Sequence, residues 1–230
     1  MAEIKIGILK EGKLPPDKRV PLTPLQCKEL ISQYPNLDVV VQKSSIRCFD
    51  NEEYSKLGIK LVDDLSDCDV LFGVKEVIIS ELLNDKTYFY FSHTIKGQPY
   101  NRALLQTMIK KGISMVDYET LTHNNGRRIL GFGRYAGVVG CYNGFLAFGE
   151  RSKRFSLKPA YLCVNRQELD KQLQHVDLPP VKIIVSGNGR VGQGALEIIN
   201  QLQIRKVTKE EFVSQNFNEP VYVHLDFYDY

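Results

Sequence analysis

The strongest constraint on the fold of this chain is the segment VKIIVSGNGRVGQGALEIINQL, in which an apolar run leads into three glycines and then a helical pattern. The glycines are Gly187, Gly189 and Gly192. In this order they allow a tight turn, the close approach of a pyrophosphate to the backbone, and tight packing of a helix on a strand. Phosphates would bind the amides at the helix N-terminus. The segment therefore predicts a dinucleotide site, with a plain strand-to-helix turn as the alternative.

Three further positions bear on this site. Arg190 and Val191 lie within the glycine turn, and Arg190 could face a phosphate or be a solvated loop arginine. An acidic residue that binds the ribose is expected about 20 positions further on. Glu210 is ranked first for this role and Asp226, after a later strand pattern, is the alternative. The cofactor is predicted to be NAD or NADP, and the sequence leaves the choice between them open.

The part of the chain before this segment has the pattern of an α/β domain of its own. Isoleucines alternate with other residues over 4–8, and short apolar runs occupy 39–41, 70–74, 88–91 and 113–116. Such runs are typical of strands that are covered on both faces in a parallel sheet. Thr23 and Pro24 predict the start of one helix. A second helix is expected to end at Gly112, with one apolar stripe at Leu104, Leu105, Met108 and Ile109.

These patterns predict an α/β fold with two parallel-sheet domains, both Rossmann-like. We expect a substrate domain over 1–140, an interdomain connector over 141–180, and an incomplete dinucleotide-binding domain over 181–230. The connector mixes a helical pattern with a basic stretch and ends at Pro179 and Pro180. Residues 195–230 are too few to complete the domain that such a glycine turn normally opens.

Composition narrows the class of protein. Hydrophobic residues make up 43% of the chain, which is enough for a packed core, and no apolar stretch approaches membrane-spanning length. The start MAEIKIG does not resemble a signal peptide. Five dispersed cysteines suggest neither a disulfide framework nor a metal site, and a net charge of +3 without a basic block disfavours nucleic acid as a partner. We expect a cytoplasmic protein that binds small molecules and not membranes, with its oligomeric state left open.

Several cations of the first domain occur where predicted strands end or turns begin. Lys75 and His93 each follow an apolar strand run, which places both at the carboxyl edge of the sheet, where ligands of open α/β sheets bind. The other polar candidates nearby are Lys13, Arg19, Lys96, Gln98, Arg127 and Arg128. Fixed cations in one cleft would bind a substrate that carries carboxylates. The alternatives are solvated loop cations, a strand-end ion pair of Lys75 with Glu76, and a core histidine.

The segments around these residues resemble a known family. They are KRVPLTP, GVKE, KTYFYFSHTIKGQ, DYETL, NGRRILGFGRYAGVVG and SGNGRVGQGAL. The chain resembles the lysine-forming saccharopine dehydrogenases and the lysine-ketoglutarate reductase part of the bifunctional aminoadipic semialdehyde synthases, within the wider alanine dehydrogenase and transhydrogenase group. The likeness runs in order from about Ile4 to the end of the chain.

The resemblance implies a reaction and a set of roles. Lysine and 2-oxoglutarate condense reversibly to an imine, which a nicotinamide cofactor reduces to saccharopine. Lys75 and His93 would be the acid-base pair, which moves protons as the imine is hydrated or formed. Substrate would bind to Arg19, and also to Lys13, Lys96, Gln98 and Arg128. Glu76 and Glu119 resemble acidic residues that tune the pKa values of the acid-base pair.

Two alternative functions remain open. Alanine dehydrogenase belongs to the same group, but alanine and pyruvate each carry one carboxylate, whereas 2-oxoglutarate carries two and saccharopine three. The number of cations therefore favours the larger acids. Members of the family are longer than this chain, so a non-catalytic binding module of the same lineage is the second alternative, and the activity of the 230-residue chain alone is left open.

Overall fold

The computed structural model describes residues 4–229. The chain forms two compact units, and the boundary between them in the sequence falls between Gly131 and Phe132. The predicted division was at residue 140, and the predicted connector over 141–180 lies within the second unit. Residues 1–3 and 230, which the predicted domain ranges include, are outside the described residues. None of the helices in residues 4–229 is long and apolar enough to cross a membrane.

The first unit is built on one parallel sheet of six strands in the order β3-β2-β1-β4-β5-β6. The strands are β1 (Ile4–Ile8), β2 (Leu37–Gln42), β3 (Lys60–Val62), β4 (Val70–Phe72), β5 (Thr87–Tyr90) and β6 (Ser114–Asp117). β2 and β3 lie on one side of β1 in the sheet, and β4, β5 and β6 lie on its other side. This switch point between β1 and β4 is where open α/β sheets bind ligands. The predicted parallel α/β fold is confirmed.

Burial explains why these short runs form strands. Val39, Val40 and Val41 of β2 are almost completely buried, and so are Ile8 of β1 and Leu71 of β4. Side chains of successive strand residues point to opposite faces, so consecutive buried residues mean that both faces are covered. The sheet is thereby fixed in register, and its carboxyl edge is held as a rigid base for the loops that follow.

The described residues of this unit form the α-helices α1 (Pro24–Gln33), α2 (Asn51–Lys56) and α3 (Arg102–Lys110), together with short 3-10 helices at Ile79–Glu81, Thr94–Lys96 and Pro99–Asn101. The predicted start of α1 is correct, because Thr23 forms a capping box with Gln26 and Pro24 is the first helical residue. The predicted stripe of α3 is half wrong. Leu104 and Met108 are buried, but Leu105 is 42% exposed and Ile109 is 72% exposed. The buried face of α3 is therefore narrower than the stripe of apolar residues in its sequence.

The second unit has a smaller parallel sheet with the order β7-β9-β8. Its elements are α4 (Gly133–Ser152), α5 (Arg166–Gln172), β7 (Lys182–Ser186), α6 (Arg190–Gln201), β8 (Arg205–Lys206), α7 (Lys209–Ser214) and β9 (Val221–Leu225). The predicted apolar run before the glycines forms β7, and the predicted helix after them forms α6. Because β9 lies between β7 and β8, the strand that follows α6 in sequence is not the neighbour of β7 in space.

Helix α4 begins in the segment that was expected to end the first domain and crosses α6 at very short range. A Cβ atom at Gly137 would lie 1.9 Å from the carbonyl oxygen of Val191, and one at Gly194 would lie 2.0 Å from that of Arg134. Only hydrogen fits at either position. Arg134 also holds Glu197 through Nε and Nη2, at 2.6 and 3.0 Å. Gly137 of the GRYAGVVG segment and Gly194 of α6 thus have a packing role in the core of the second unit.

Candidate functional site

The carboxyl edge of the first sheet is joined across its switch point by Glu11, which follows β1. Its two carboxylate oxygens accept hydrogen bonds from the backbone amides of Val74 at 2.7 Å and Lys75 at 2.9 Å, just beyond β4. Burial raises the pKa of Glu11, and the two amides only partly offset this effect. Glu11 is absent from the predicted site. The strand-end rule that selected Lys75 and His93 applies to Glu11 as well, because Glu11 follows β1.

Glu76 brings two predicted site residues together. Its Oε2 atom lies 2.7 Å from Nζ of Lys13, and its Oε1 atom lies 2.6 Å from Nδ1 of His93. The Glu76 side chain is only 12% exposed. Burial by itself would raise the pKa of Glu76, but the hydrogen bonds from Lys13 and His93 outweigh it and hold the pKa below the usual range. An ionised carboxylate therefore links the loops after β1, β4 and β5.

Lys75 lies one residue before Glu76, at the same edge. Within residues 4–229 its ammonium group makes no hydrogen bond and no ion pair, although its backbone amide is held by Glu11. The charge of Lys75 contributes to lowering the pKa of Asp17, after the larger effect of the hydrogen bond from Arg19. Lys75 thus has a fixed backbone and an ammonium group that is available to a ligand.

A second carboxylate, Glu119, binds the other two predicted cations. Its Oε1 atom lies 3.2 Å from Nζ of Lys96 and 3.1 Å from Nη1 of Arg128. The Glu119 side chain is 9% exposed, and its Oε2 atom is buried without a hydrogen-bond partner among the described residues. A buried carboxylate oxygen without a donor is costly, which marks this position as a candidate for an incoming donor.

The remaining predicted substrate residues differ in their placement. Arg19 holds Asp17 in a two-point ion pair, with Nε 2.8 Å from Oδ1 and Nη2 bonded to Oδ2. This hydrogen bonding lowers the pKa of Asp17. Gln98 lies on an exposed turn, and its side chain makes no hydrogen bond to Glu76 or Glu119. Arg127 is exposed as well. The structure therefore brings Lys13 and His93 together, and Lys96 and Arg128 together, but does not bring Gln98 to either pair.

In the second unit, the glycine turn has the close backbone packing that its sequence predicts. Gly187 has a φ of +85°, which favours glycine. A Cβ atom at Gly192 would lie 1.9 Å from the carbonyl oxygen of Gly187. A Cβ atom at Gly189 would meet no atom within 4 Å, so open space adjoins the start of α6 at Arg190. The residues at this turn fit a phosphate group on the backbone amides.

The sheet order changes the expected ribose-binding acid. Glu210 lies in the first turn of α7, after β8, and β8 is not adjacent to β7. Asp226 directly follows β9, which pairs with β7 along its whole length. The ribose acid of a dinucleotide site follows the strand next to the glycine turn. In this topology β9 and not β8 adjoins β7, so the sheet order favours Asp226 over Glu210, and the assignment of the ribose acid stays a prediction.

The parallel sheet with its switch point, together with the glycine turn of the second unit, defines an α/β protein of the Rossmann-like dehydrogenase class. Residues 7–139 match the family described as alanine dehydrogenase/PNT, N-terminal domain. This match covers more than half of the chain, and the chain belongs to that family.

Individual relatives agree with this assignment. The mitochondrial alpha-aminoadipic semialdehyde synthase of Bos taurus is 32% identical over 220 residues, which cover 87% of this chain and 24% of the relative. A saccharopine dehydrogenase [NAD(+), L-lysine-forming] of Emericella nidulans is 27% identical, over 89% of this chain and 58% of the relative. The chain therefore spans about a quarter of the first relative and somewhat over half of the second.

Among solved structures, an L-alanine dehydrogenase matches with a TM-score of 0.64 at 18% identity, over 96% of this chain and 60% of that protein. At this identity the match shows the fold alone. The family and the relatives make oxidoreductases the class of protein to which the chain is related.

Proposed function

We propose that this chain forms the amino-acid-binding part and the start of the cofactor-binding part of an oxidoreductase that acts on the CH-NH bond of saccharopine. The reaction is the reversible reductive condensation of L-lysine and 2-oxoglutarate. The observation that supports it is the pair of ion clusters around Glu76 and Glu119, which lie at the carboxyl edge of one sheet. Relatives named for this chemistry support the choice of substrate.

Lys75 and His93 are the proposed acid-base groups. In the oxidative direction a base must keep the secondary amine of saccharopine neutral while hydride leaves the adjacent carbon, and a second group must move protons as water adds to the imine. The Lys75 ammonium group makes no contact with a protein carboxylate in the described part of the chain, so a substrate can reach it. Glu76 orients the His93 ring through the hydrogen bond at Nδ1.

The substrate carboxylates are proposed to bind Arg19, Lys13, Lys96 and Arg128. Each of these cations contacts a carboxylate of the protein, namely Asp17, Glu76 or Glu119. An incoming carboxylate therefore shares or replaces an existing partner, and the number of such positions suits an acid with two or three carboxylates better than alanine. Gln98 is kept as a substrate contact only by the resemblance, because its side chain lies on an exposed turn.

For the cofactor, we propose that the turn from Gly187 to Gly192, including Arg190 and Val191, holds the pyrophosphate of NAD or NADP, and that Asp226 binds the ribose. The bound cofactor would accept or return the hydride. The backbone of the turn binds and orients the phosphates, while Gly192 keeps α6 close to β7 so that its N-terminal amides face them.

Calorimetric titration and a nicotinamide absorbance assay test this proposal. We expect the chain to bind saccharopine more tightly than alanine, and Lys75→Met to lower turnover by orders of magnitude wherever turnover is measured. Lys110→Met, on the exposed last turn of α3, is the control and should leave both unchanged. Binding or turnover of alanine but not of saccharopine would make alanine dehydrogenase the better assignment. Saccharopine binding without turnover, restored in a longer form of the protein, would make this chain a binding module of the same lineage.

A further inference from the structure

A buried carboxylate of the first unit connects the loops that carry His93 and Glu119. Asp117, the last residue of β6, is 7% exposed. Its Oδ2 atom accepts hydrogen bonds from the backbone amide of Ser92 at 3.1 Å and from the Ser92 hydroxyl at 2.6 Å. Its Oδ1 atom accepts one from the backbone amide of Glu119 at 2.8 Å. Each oxygen of this one side chain thus holds a different loop.

The hydrogen bonds between Asp117 and Ser92 matter because His93, the next residue, has an unusual backbone conformation. His93 has φ 55° and ψ 8°, a left-handed conformation that is unfavourable for a non-glycine residue and persists only where its surroundings fix it. Ser92 precedes it and is fully buried. The Ser92 hydroxyl also lies 2.7 Å from Oγ1 of Thr94 and accepts a hydrogen bond from the Thr94 amide at 3.2 Å. Both neighbours of His93 are therefore held through one serine.

The same arrangement aims the His93 ring. Nδ1 of His93 meets Glu76 at 2.6 Å, while Phe91 lies against the ring of His93 with centroids 6.4 Å apart. A relaxed backbone at residue 93 would turn the ring away from Glu76, since the ring direction follows φ and ψ. Neither Asp117 nor Ser92 is an acid-base group or a substrate contact of the proposed site. Both act on residues that do.

We propose that Asp117 and Ser92 are positioning residues, which hold His93 in its left-handed conformation and fix the spacing between His93 and Glu119. The importance of this spacing for catalysis rests on the proposed function, whereas the positioning itself does not. An Asp117→Asn side chain has one acceptor oxygen and one donor amide, so it can hold Ser92 or Glu119 but not both. Ser92→Ala removes the hydroxyl and keeps the bond between the Ser92 amide and Asp117.

Nuclear magnetic resonance of the isotopically labelled full chain tests the proposal without any ligand. The chain contains four histidines, so the imidazole nitrogens of His93 can be assigned. We expect the His93 Nδ1 signal to move towards that of a solvated imidazole in both variants, as its bond to Glu76 is lost. Hydrogen exchange of the Glu119 amide should speed up about tenfold or more in Asp117→Asn and stay the same in Ser92→Ala.

A matched control is available on the surface of the same unit. Asp64 accepts hydrogen bonds from the amide and the hydroxyl of Ser66, as Asp117 does from Ser92, but the Asp64–Ser66 turn is exposed. Asp64→Asn and Ser66→Ala should leave the His93 and Glu119 signals unchanged. If Asp117→Asn fails to fold, Ser92→Ala decides the outcome. Unchanged His93 signals in a folded Ser92→Ala protein would overturn the proposal.

Saccharopine binding separates this inference from the proposed function. We expect Ser92→Ala to weaken saccharopine binding about tenfold. If the wild-type chain does not bind saccharopine but the His93 signals still move in the variants, the positioning stands and the proposed function fails. If the wild-type chain and Ser92→Ala bind saccharopine equally tightly although the His93 signals move, the positioning has no role in this site and that part of the proposal is wrong.

Discussion

The candidate sites of the two units are built from different materials. In the first unit, charged side chains at strand ends bind each other, as Lys13 and His93 bind Glu76. In the second unit, the site is a backbone surface that exists because Gly187 and Gly192 lack side chains. A side-chain site can change partners when a ligand arrives, whereas a backbone site is complete once the chain has folded. The two should therefore respond to substitution in opposite ways.

The largest effect is expected in the second unit, where there is no room for a side chain. Gly137→Ala on α4 places a Cβ atom 1.9 Å from the carbonyl oxygen of Val191, and two backbones must separate to admit it. We expect the free energy of unfolding to fall by about 3 kcal/mol. Gly144→Ala on the same helix meets no atom within 4 Å and should raise it by up to about 1 kcal/mol. Denaturant unfolding measures both, and equal effects would mean that the close packing of α4 on α6 does not determine the cost of a side chain.

A smaller, pH-dependent effect is expected in the first unit. Glu76→Gln removes an ionised acceptor between Lys13 and His93, and should cost about 1–3 kcal/mol of unfolding free energy at neutral pH. The pKa of Glu76 is lower in the folded protein than its ordinary value of 4.5. Its stabilising effect is therefore complete above pH 4.5 and is lost as the pH falls through the folded pKa.

Urea unfolding of the wild type and of Glu76→Gln at pH 7 and at lower pH measures this difference, which should shrink in acid. Glu52→Gln is a suitable control, because Glu52 forms an exposed pair with Lys56 and should contribute little at either pH. A constant difference across this pH range would mean that Glu76 acts through packing and not through charge.

The smallest effect concerns cofactor binding in the second unit, where one side chain is expected to assist the backbone. Asp226→Asn should weaken binding of the dinucleotide about tenfold, which is about 1.4 kcal/mol. Glu210→Gln should leave the affinity unchanged, since α7 follows the edge strand β8. Fluorescence titration with NADH and NADPH compares them. A larger loss from Glu210→Gln would restore the ranking derived from spacing alone.

Local patterns identified most of the fold where one element carries its own signal. The apolar runs gave β1, β2, β4, β5 and β6, and the Thr23 cap gave the start of α1. The extent of helix α4 was hard to predict because glycines are unfavourable in an isolated helix, although Gly133 and Gly137 permit its close contact with α6. Strand β3 and helix α2 are short and lack an apolar run, so they depend on contacts that the sequence pattern does not contain.

The candidate site also contains residues that local patterns predict and contacts that they do not predict. The strand-end rule placed Lys75 and His93 at one edge of the sheet, because topology alone determines which end of a parallel strand faces a ligand. To predict which side chains link these residues, one must know how the loops between the strands run. Spacing could not indicate that Glu76 lies between Lys13 and His93, or that Asp117 reaches Ser92. Spacing also could not show that β9 lies between β7 and β8, which is why the sheet order favours Asp226 and the spacing favours Glu210.

The position of β1 in the middle of the first sheet has a consequence for synthesis of the protein. β1 is followed by β2 on one side, but its other neighbour, β4, is translated roughly 60 residues later. Until Val70–Phe72 leaves the ribosome, an apolar strand carries an open edge that can pair with other chains. Parallel pairing over such a separation also forms slowly. The strand on which the ligand-binding edge is centred is therefore the one that waits longest for a neighbour among the strand pairings of this sheet.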